Sequence, residues 1–167
     1  MKRLASLAPL VLVAACSGGA STSIQPGQWE DTVAITNVEI PGAPPEMANQ
    51  MGAVMRQSQT RSHCVTPEMA ANPTQGMANP TGQAQGCTFQ NQTFANGTIN
   101  VTSSCPAPTG GGQVRTQLTG TYTATTLNAQ LNVEGPTGAP AGAGAPQTMR
   151  MTGTLTSRRT GDCTSGG

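Results

Sequence analysis

The stretch QVRTQLTGTYTA, residues 113–124, decides the fold class. Every second residue, beginning with Val114 and including Leu118 and Tyr122, is mostly apolar, whereas the residues between them are all polar. Alternation with a period of two places the two sets on opposite faces of a β-strand, one buried and one in water. A strand with one wet face is typical of an antiparallel sheet.

The segments on either side of this strand extend the pattern. The alternation repeats at Leu127, Ala129, Leu131 and Val133, and again at Met149, Met151, Gly153 and Leu155. Residues 135–146, between these two segments, are almost wholly Gly, Ala, Pro and Thr and predict a flexible loop. Upstream, Asn96-Gly97 separates two alternating runs, and this dipeptide favours the type I′ turn of a β-hairpin.

The chain before the hairpin predicts two more strands. One begins after Pro26-Gly27 and ends near Ile40, and its apolar face is interrupted by Asp31. The members of that face are Trp29, Val33 and Ile35. Residues 57–65 read as the second strand.

Two segments have helical features. Thr66-Pro67-Glu68 predicts the start of a short helix, with Thr66 as cap, Pro67 at the first helical position and Glu68 in the first turn. In residues 44–56 the methionines recur at helical spacing, but Gly52 weakens a helix. That segment predicts either a helix or a Met-lined loop.

These segments together predict one mainly β domain over residues 26–163, followed by a tail at 164–167. We expect an antiparallel meander of about six to seven strands, curled into a partial or closed barrel, with one or two short helices. Only 9% of residues are charged and 2% are aromatic, so a large core is not expected.

The first residues carry an export signal. Lys2 and Arg3 precede a small and apolar run, Leu4–Ala15, which is shorter than the roughly 20 residues of a membrane span. Val13-Ala14-Ala15-Cys16 resembles the lipobox of bacterial lipoproteins. That resemblance implies that residues 1–15 are removed and that Cys16 carries a diacylglyceryl thioether, with acyl chains such as palmitate. The alternative is an ordinary secreted protein with an accidental cysteine.

The lipobox places the protein in the cell envelope. Residues 16–25 would tether the domain to the membrane, facing the periplasm. Ser17 after the lipidated cysteine is compatible with sorting to the outer membrane, which by general analogy is blocked mainly by Asp at that position.

Four cysteines remain, an even number in an oxidising compartment, and predict two disulfides. They are Cys64, Cys87, Cys105 and Cys163. We favour the pairing Cys64–Cys87 with Cys105–Cys163, although the predicted hairpin would bring Cys87 and Cys105 together. No two cysteines have the spacing of a zinc site, and we expect no cofactor.

Charge argues against nucleic-acid binding. Without residues 1–15 the chain has six arginines, no lysine and seven acidic residues, so no basic patch can form to neutralise phosphates. The shortage of ionisable side chains also makes an enzyme the least favoured function class.

The ionisable residues offer few catalytic arrangements. His63 is the only histidine, and its neighbour Cys64 is assigned to a disulfide. Glu30 and Asp31 would face apart on a strand, which leaves Glu30 in solvent. A buried acid beside His63 would favour an enzyme again.

A methionine-rich region offers a metal hypothesis. Thioether sulfurs suit Cu(I), and five methionines lie within residues 47–77, namely Met47, Met51, Met55, Met69 and Met77. The alternative, which we favour, is that these flexible side chains fill gaps in a core with few aromatic residues.

Short motifs along the chain resemble an uncharacterised bacterial envelope family, domain of unknown function 3617. They are Pro26-Gly27-Gln28-Trp29-Glu30, the Met- and Pro-rich segment 41–55, Cys64-Val65-Thr66-Pro67-Glu68, Cys87, Cys105, and Ser157-Arg158-Arg159-Thr160-Gly161-Asp162-Cys163. The resemblance implies a small exported β-rich domain with paired cysteines, and it transfers no functional residue.

We therefore expect a non-enzymatic envelope lipoprotein that binds a small apolar ligand or an envelope protein partner within its curled sheet. A cavity lined by Trp29, Leu118 and Tyr122 would favour this function. The alternatives are a Met-based periplasmic Cu(I) binder and, last, an enzyme.

Overall fold

A computed structural model describes residues 23–74, 86–107, 111–137 and 148–163. The described residues form seven strands and two short helices. The strands are β1 Gly27–Glu39, β2 Gln59–Val65, β3 Thr88–Ala95, β4 Thr98–Pro106, β5 Gln113–Tyr122, β6 Thr126–Pro136 and β7 Thr148–Gly161. The helices are α1 Pro45–Met55 and α2 Pro67–Ala71.

The strands form one antiparallel sheet in the order β2-β1-β7-β6-β5-β4-β3. Strands β3 to β7 are a meander of sequence neighbours, and the long pairing of β1 with β7 joins this meander to the β1–β2 pair. Strands β2 and β3 are the two edges and do not pair with each other, so the sheet is not closed. The expected mainly β meander is confirmed in its partial form.

Glycines at the middle of two strands allow neighbouring strands to approach closely. A Cβ atom added at Gly120 would collide with the backbone of Asn128 and Ala129. One added at Gly153 would lie 2.6 Å from the carbonyl oxygen of Ala34. Glycine within a strand marks a tight bend or a close backbone approach, and both positions lie in the middle of the curled sheet.

The strand register aligns side chains in rows across one face, which we call the inner face. One row runs from β2 to β5 through Arg61, Asp31, Ser157, Leu127 and Tyr122. The next row runs from β2 to β3 through Gln59, Val33, Leu155, Ala129, Gly120, Ile99 and Phe94. Both rows therefore change from polar at β2 to apolar towards β3.

The buried core occupies part of this inner face. Its members are Ile24, Trp29, Ile99, Tyr122, Leu127 and Ala129. The rings of Phe94 and Tyr122 pack with their centroids 4.3 Å apart. The core, all seven strands and both disulfides lie between Ile24 and Cys163, so a chain that starts at Ser17 contains the whole described fold.

The favoured disulfide pairing is wrong. Cys87 bonds to Cys105, and Cys64 bonds to Cys163. The first pair follows from the hairpin, because the register of Thr88 with Ser104 places the cysteines opposite each other. The second pair follows from the sheet order, because β1 lies between β2 and β7. Near its first residues, Gln28 pairs with Cys64 on β2 and with Gly161 on β7, so Cys64 and Cys163 meet at the start of β1.

Most local predictions are confirmed. Asn96 and Gly97 have φ angles of 52° and 75°, as the type I′ turn requires. The hydroxyl of Thr66 accepts a hydrogen bond from the backbone N–H of Met69 at 3.3 Å and caps α2. The methionine-rich segment is a helix, α1, rather than a loop. The start of the predicted 135–146 loop is wrong, since Gly135 and Pro136 still pair with β7.

Several predictions lie outside the described residues. They concern the signal peptide 1–15, the lipidated Cys16, most of the 16–25 linker, most of the 135–146 loop, Met77 and the tail 164–167.

None of the helices in the described ranges is long and apolar enough to cross a membrane.

Candidate functional site

The inner face of the sheet carries two adjoining cavities. A cavity of about 360 Å³ lies beside β1 and β2, and one of about 210 Å³ lies towards β3 and β4. Val33 and Leu155 line both cavities, so the two are parts of one groove, which we call the inner groove. Strand β1 and the last part of β7 supply its central wall.

The β2 part of the inner groove is amphipathic. Its polar wall residues are Asp31, Gln59, Arg61, His63 and Ser157. Its apolar wall residues are Ile24, Trp29, Val33, Val65, Met69, Pro73, Leu127 and Leu155. The polar side chains converge because β1 pairs with β2 on one side and β7 on the other, with Arg61 and Ser157 opposite Asp31.

The β3 part has no ionisable side chain in its wall. Its apolar residues are Val33, Phe89, Phe94, Val101, Leu118, Leu131 and Leu155, and its polar ones are Thr74, Ser103 and Thr116. Several of these apolar side chains remain half-buried. The inner groove thus changes along its length from a charged part to an apolar part.

His63 and Asp31 lie side by side in the β2 part. Nδ1 of His63 lies 3.3 Å from Oδ2 of Asp31, and the side chains are 24% and 21% exposed, respectively. Nδ1 itself is buried and has no well-aligned hydrogen bond to any described residue. The acid beside His63 is thus partly exposed rather than buried. It could orient the imidazole, as the acid of a catalytic triad does.

Arg61 differs from the other arginines near this site. Arg158 pairs with Glu30 at 3.2 Å, and Arg159 pairs with Asp162. Arg61 has no ion-pair partner among the described residues, and these residues include all seven acidic residues of the chain. Its guanidinium is therefore a charge in the wall of the inner groove that forms no ion pair with any described side-chain carboxylate.

Trp29 is a buried wall residue of the β2 part. Its side chain is 2% exposed, and Nε1 donates a hydrogen bond to the carbonyl oxygen of Gln25 at 3.0 Å. The guanidinium of Arg159 donates to the carbonyl oxygen of Pro26 at 2.8 Å and fixes the same segment. Since Trp29 is the only tryptophan, its fluorescence reports on this part of the groove alone.

The three residues expected to line one cavity lie in three different places. Trp29 lines the β2 part and Leu118 the β3 part, whereas Tyr122 belongs to the core and lines neither. Glu30 lies on the opposite face from Asp31, where it is partly exposed and pairs with Arg158.

The described methionine side chains of the metal hypothesis are divided between the inner groove and α1. Met69 lines the inner groove, whereas Met51 and Met55 lie on α1 and do not line it. Met47 also belongs to α1. In the described ranges no three His, Cys, Asp or Glu side chains are grouped as metal ligands.

Sequence reasoning missed Gln59, Arg61 and Ser157 as groove residues. Alternation along residues 59–65 could have placed Gln59 and Arg61 on the face of His63, because residues two apart share a face. No local signal places Ser157 beside Asp31, since this contact depends on the pairing of β1 with β7.

The comparison with known proteins agrees with the fold. No curated protein matches the chain. One family model matches residues 24–163, which span all seven strands, both disulfides and the inner groove. The resemblance seen in the short motifs is thereby confirmed, and the chain belongs to the family described as Protein of unknown function (DUF3617).

Proposed function

We propose that the protein is a non-enzymatic binding module of the bacterial cell envelope, anchored through a lipid on Cys16, that holds a small apolar ligand in its inner groove. The observation that carries the proposal is the apolar strip along an unclosed sheet. Val33, Leu118 and Leu155 line the groove and remain half-buried.

The size and chemistry of the groove support a ligand. Covering apolar surface is favourable by about 25 cal/mol per Å², so these half-buried side chains can contribute binding free energy. The volumes of about 360 and 210 Å³ fall, taken together, in the lower part of the roughly 300–1,000 Å³ range of ligand pockets. An apolar wall with a few convergent polar groups is typical of such pockets.

The cysteines support export. Two disulfides in so small a domain suit an oxidising compartment. The lipobox-like sequence that ends at Cys16 supports anchoring to the membrane, and Ser17 is compatible with the outer membrane.

Catalysis is not part of the proposal. Asp31 could orient His63, but a nucleophilic mechanism also needs a hydroxyl or thiol that hydrogen-bonds to the imidazole. Cys64 is in a disulfide, and Asp31 rather than His63 lies opposite Ser157 on the neighbouring strand.

The binding test uses the chain from Ser17 onward and an apolar naphthylamine dye, read through Trp29 fluorescence and dye emission. We expect saturable binding, and about tenfold weaker binding for Leu118→Gln, which places an amide in the apolar wall. Val54→Gln on α1 is the control, because Val54 is 69% exposed and lies outside the groove. The absence of saturable binding, or an equal loss in both variants, would contradict the proposal.

The anchoring test is intact mass spectrometry of the full chain expressed in a Gram-negative bacterium. We expect a mature protein that starts at Cys16 and carries acyl chains, and loss of those chains in Cys16→Ser. A mature chain that starts at another residue and carries no lipid would contradict the anchor.

A Cu(I) binder remains the second candidate, because Met69 and His63 both line the β2 part of the groove. Intact mass spectrometry after exposure to Cu(I) tests it. Stoichiometric retention that depends on Met47, Met51 and Met55 would support the site expected on α1, whereas dependence on Met69 and His63 would place it in the groove.

A further inference from the structure

We infer that the ligand of the inner groove is a free fatty acid, with its carboxylate at Arg61 and His63 and its chain along the β3 part. This inference rests on the proposed function and names the class of ligand. Its basis is the distribution of charge along the groove.

The ionisable groups of the groove are confined to the β2 part. In the row that begins at Arg61, the side chains become apolar at Leu127 and remain inside the core at Tyr122. The row that begins at Gln59 becomes apolar at Val33, and the β3 part contains no ionisable group. A ligand that matches this wall has one polar end and one apolar end.

The unpaired guanidinium in the wall is that of Arg61. It lies opposite Asp31 in the register, but no described side-chain carboxylate comes within ion-pair distance of it, whereas Oδ2 of Asp31 lies 3.3 Å from Nδ1 of His63. Arg159, opposite Trp29 on β7, is paired with Asp162 and donates a hydrogen bond to the carbonyl oxygen of Pro26. An anionic head is therefore the complement of this part, because it supplies the partner that Arg61 lacks.

The geometry of the guanidinium favours a carboxylate head group, and the volume of the β3 part favours a single chain. The two parallel N–H groups of a guanidinium match the two oxygens of a carboxylate. The β3 part is the smaller continuation of the groove, about 210 Å³ against about 360 Å³ for the β2 part, so it suits one acyl chain rather than a two-chain lipid.

The test compares three ligands with the same ten-carbon chain, decanoate, decan-1-ol and decylammonium, below their micelle concentrations. Quenching or enhancement of Trp29 fluorescence gives each Kd for the chain from Ser17 onward. We expect decanoate to bind about fivefold more tightly than decan-1-ol, since a partly exposed charge pair contributes up to about 1 kcal/mol. The advantage should shrink at high salt.

Arg61→Gln should remove this advantage and leave the affinity for decan-1-ol unchanged. Arg115→Gln is the matched control, because it removes the same charge from the exposed face of β5 and should change no affinity. Both arginines are exposed, so neither change should perturb the fold, which circular dichroism checks.

The outcomes separate the two proposals. Equal affinities for the three ligands, tighter binding of decylammonium, or an unchanged preference in Arg61→Gln would overturn the fatty-acid assignment and leave apolar binding standing. Decyl phosphate is measured as a fourth ligand, and tighter binding of it than of decanoate would overturn the assignment of a carboxylate head. Failure of all the chains to bind would overturn the proposed function itself.

Discussion

A disulfide holds each of the two margins of the sheet, but the sequence separation of the bonded cysteines differs between them. At the β2 margin, Cys64 and Cys163 are 99 residues apart, and the strands that meet there come from both ends of the domain. At the β3 margin, Cys87 and Cys105 are 18 residues apart and belong to one hairpin.

The chemistry of the margins differs in parallel. The β2 margin brings Asp31, Arg61 and His63 to the inner face, whereas strands β3 and β4 contain no ionisable side chain. Local pairing therefore builds the apolar side, and long-range pairing assembles the charged side. This division teaches that the functional polarity of the groove depends on contacts between distant segments.

Removal of a disulfide is expected to have the largest effect on the free energy of unfolding. Loss of the long loop in Cys64→Ala/Cys163→Ala should lower the free energy of unfolding by about 4.7 kcal/mol, against about 3 kcal/mol for Cys87→Ala/Cys105→Ala, since loop entropy grows with length. Urea unfolding of both double variants measures the difference. A greater loss from the hairpin pair would break the comparison between margins.

The second largest expected effect concerns two isoleucines, one fully buried and one half-buried. Ile99 on β4 is 1% exposed, so Ile99→Ala should lower the free energy of unfolding by about 3 kcal/mol. Ile35 on β1 is only half-buried, and Ile35→Ala should cost about 1 kcal/mol. Guanidinium unfolding tests both, and equal losses would show that the β1 side is packed as tightly as β4.

The smallest effect concerns α2, which follows β2 directly. Hydrogen bonding from the Thr66 hydroxyl, and secondarily from the backbone N–H of Glu68, holds the pKa of Glu68 below its ordinary value of 4.5. Because the folded pKa is the lower one, the ionised Glu68 stabilises the fold above that value. The contribution is lost as pH falls through the folded pKa.

Glu68→Gln should therefore destabilise the protein slightly near neutral pH and have no effect once the pH is well below the folded pKa of Glu68. Amide exchange in α2, compared with exchange in the β3–β4 hairpin, measures this change. The hairpin provides the internal control, because it has no titratable side chain. A difference that persists in acid would contradict the assigned hydrogen bond.

Much of the fold could be predicted because its signals are local. The alternation in residues 113–124 and the Asn96-Gly97 turn identify strands and a hairpin without any distant contact. The same hairpin already placed Cys87 opposite Cys105, and the favoured pairing failed because it set that geometric signal aside.

The candidate site could be predicted only in part. Trp29, Asp31 and Leu118 were assigned to inner faces of their strands by periodicity, and they line the groove. Arg61 and Ser157 were missed, since nothing near them in the sequence shows which strands flank β1.

The sequence by itself determined the strands, the hairpin, the cap of α2 and the family, because each depends on side-chain period or on short motifs. Only the tertiary structure decided that β1 lies between β2 and β7, and with it the Cys64–Cys163 bond and the meeting of Arg61, Asp31 and Ser157. The physical reason is that strand order is chosen by burial of the whole inner face, and no short segment carries that information.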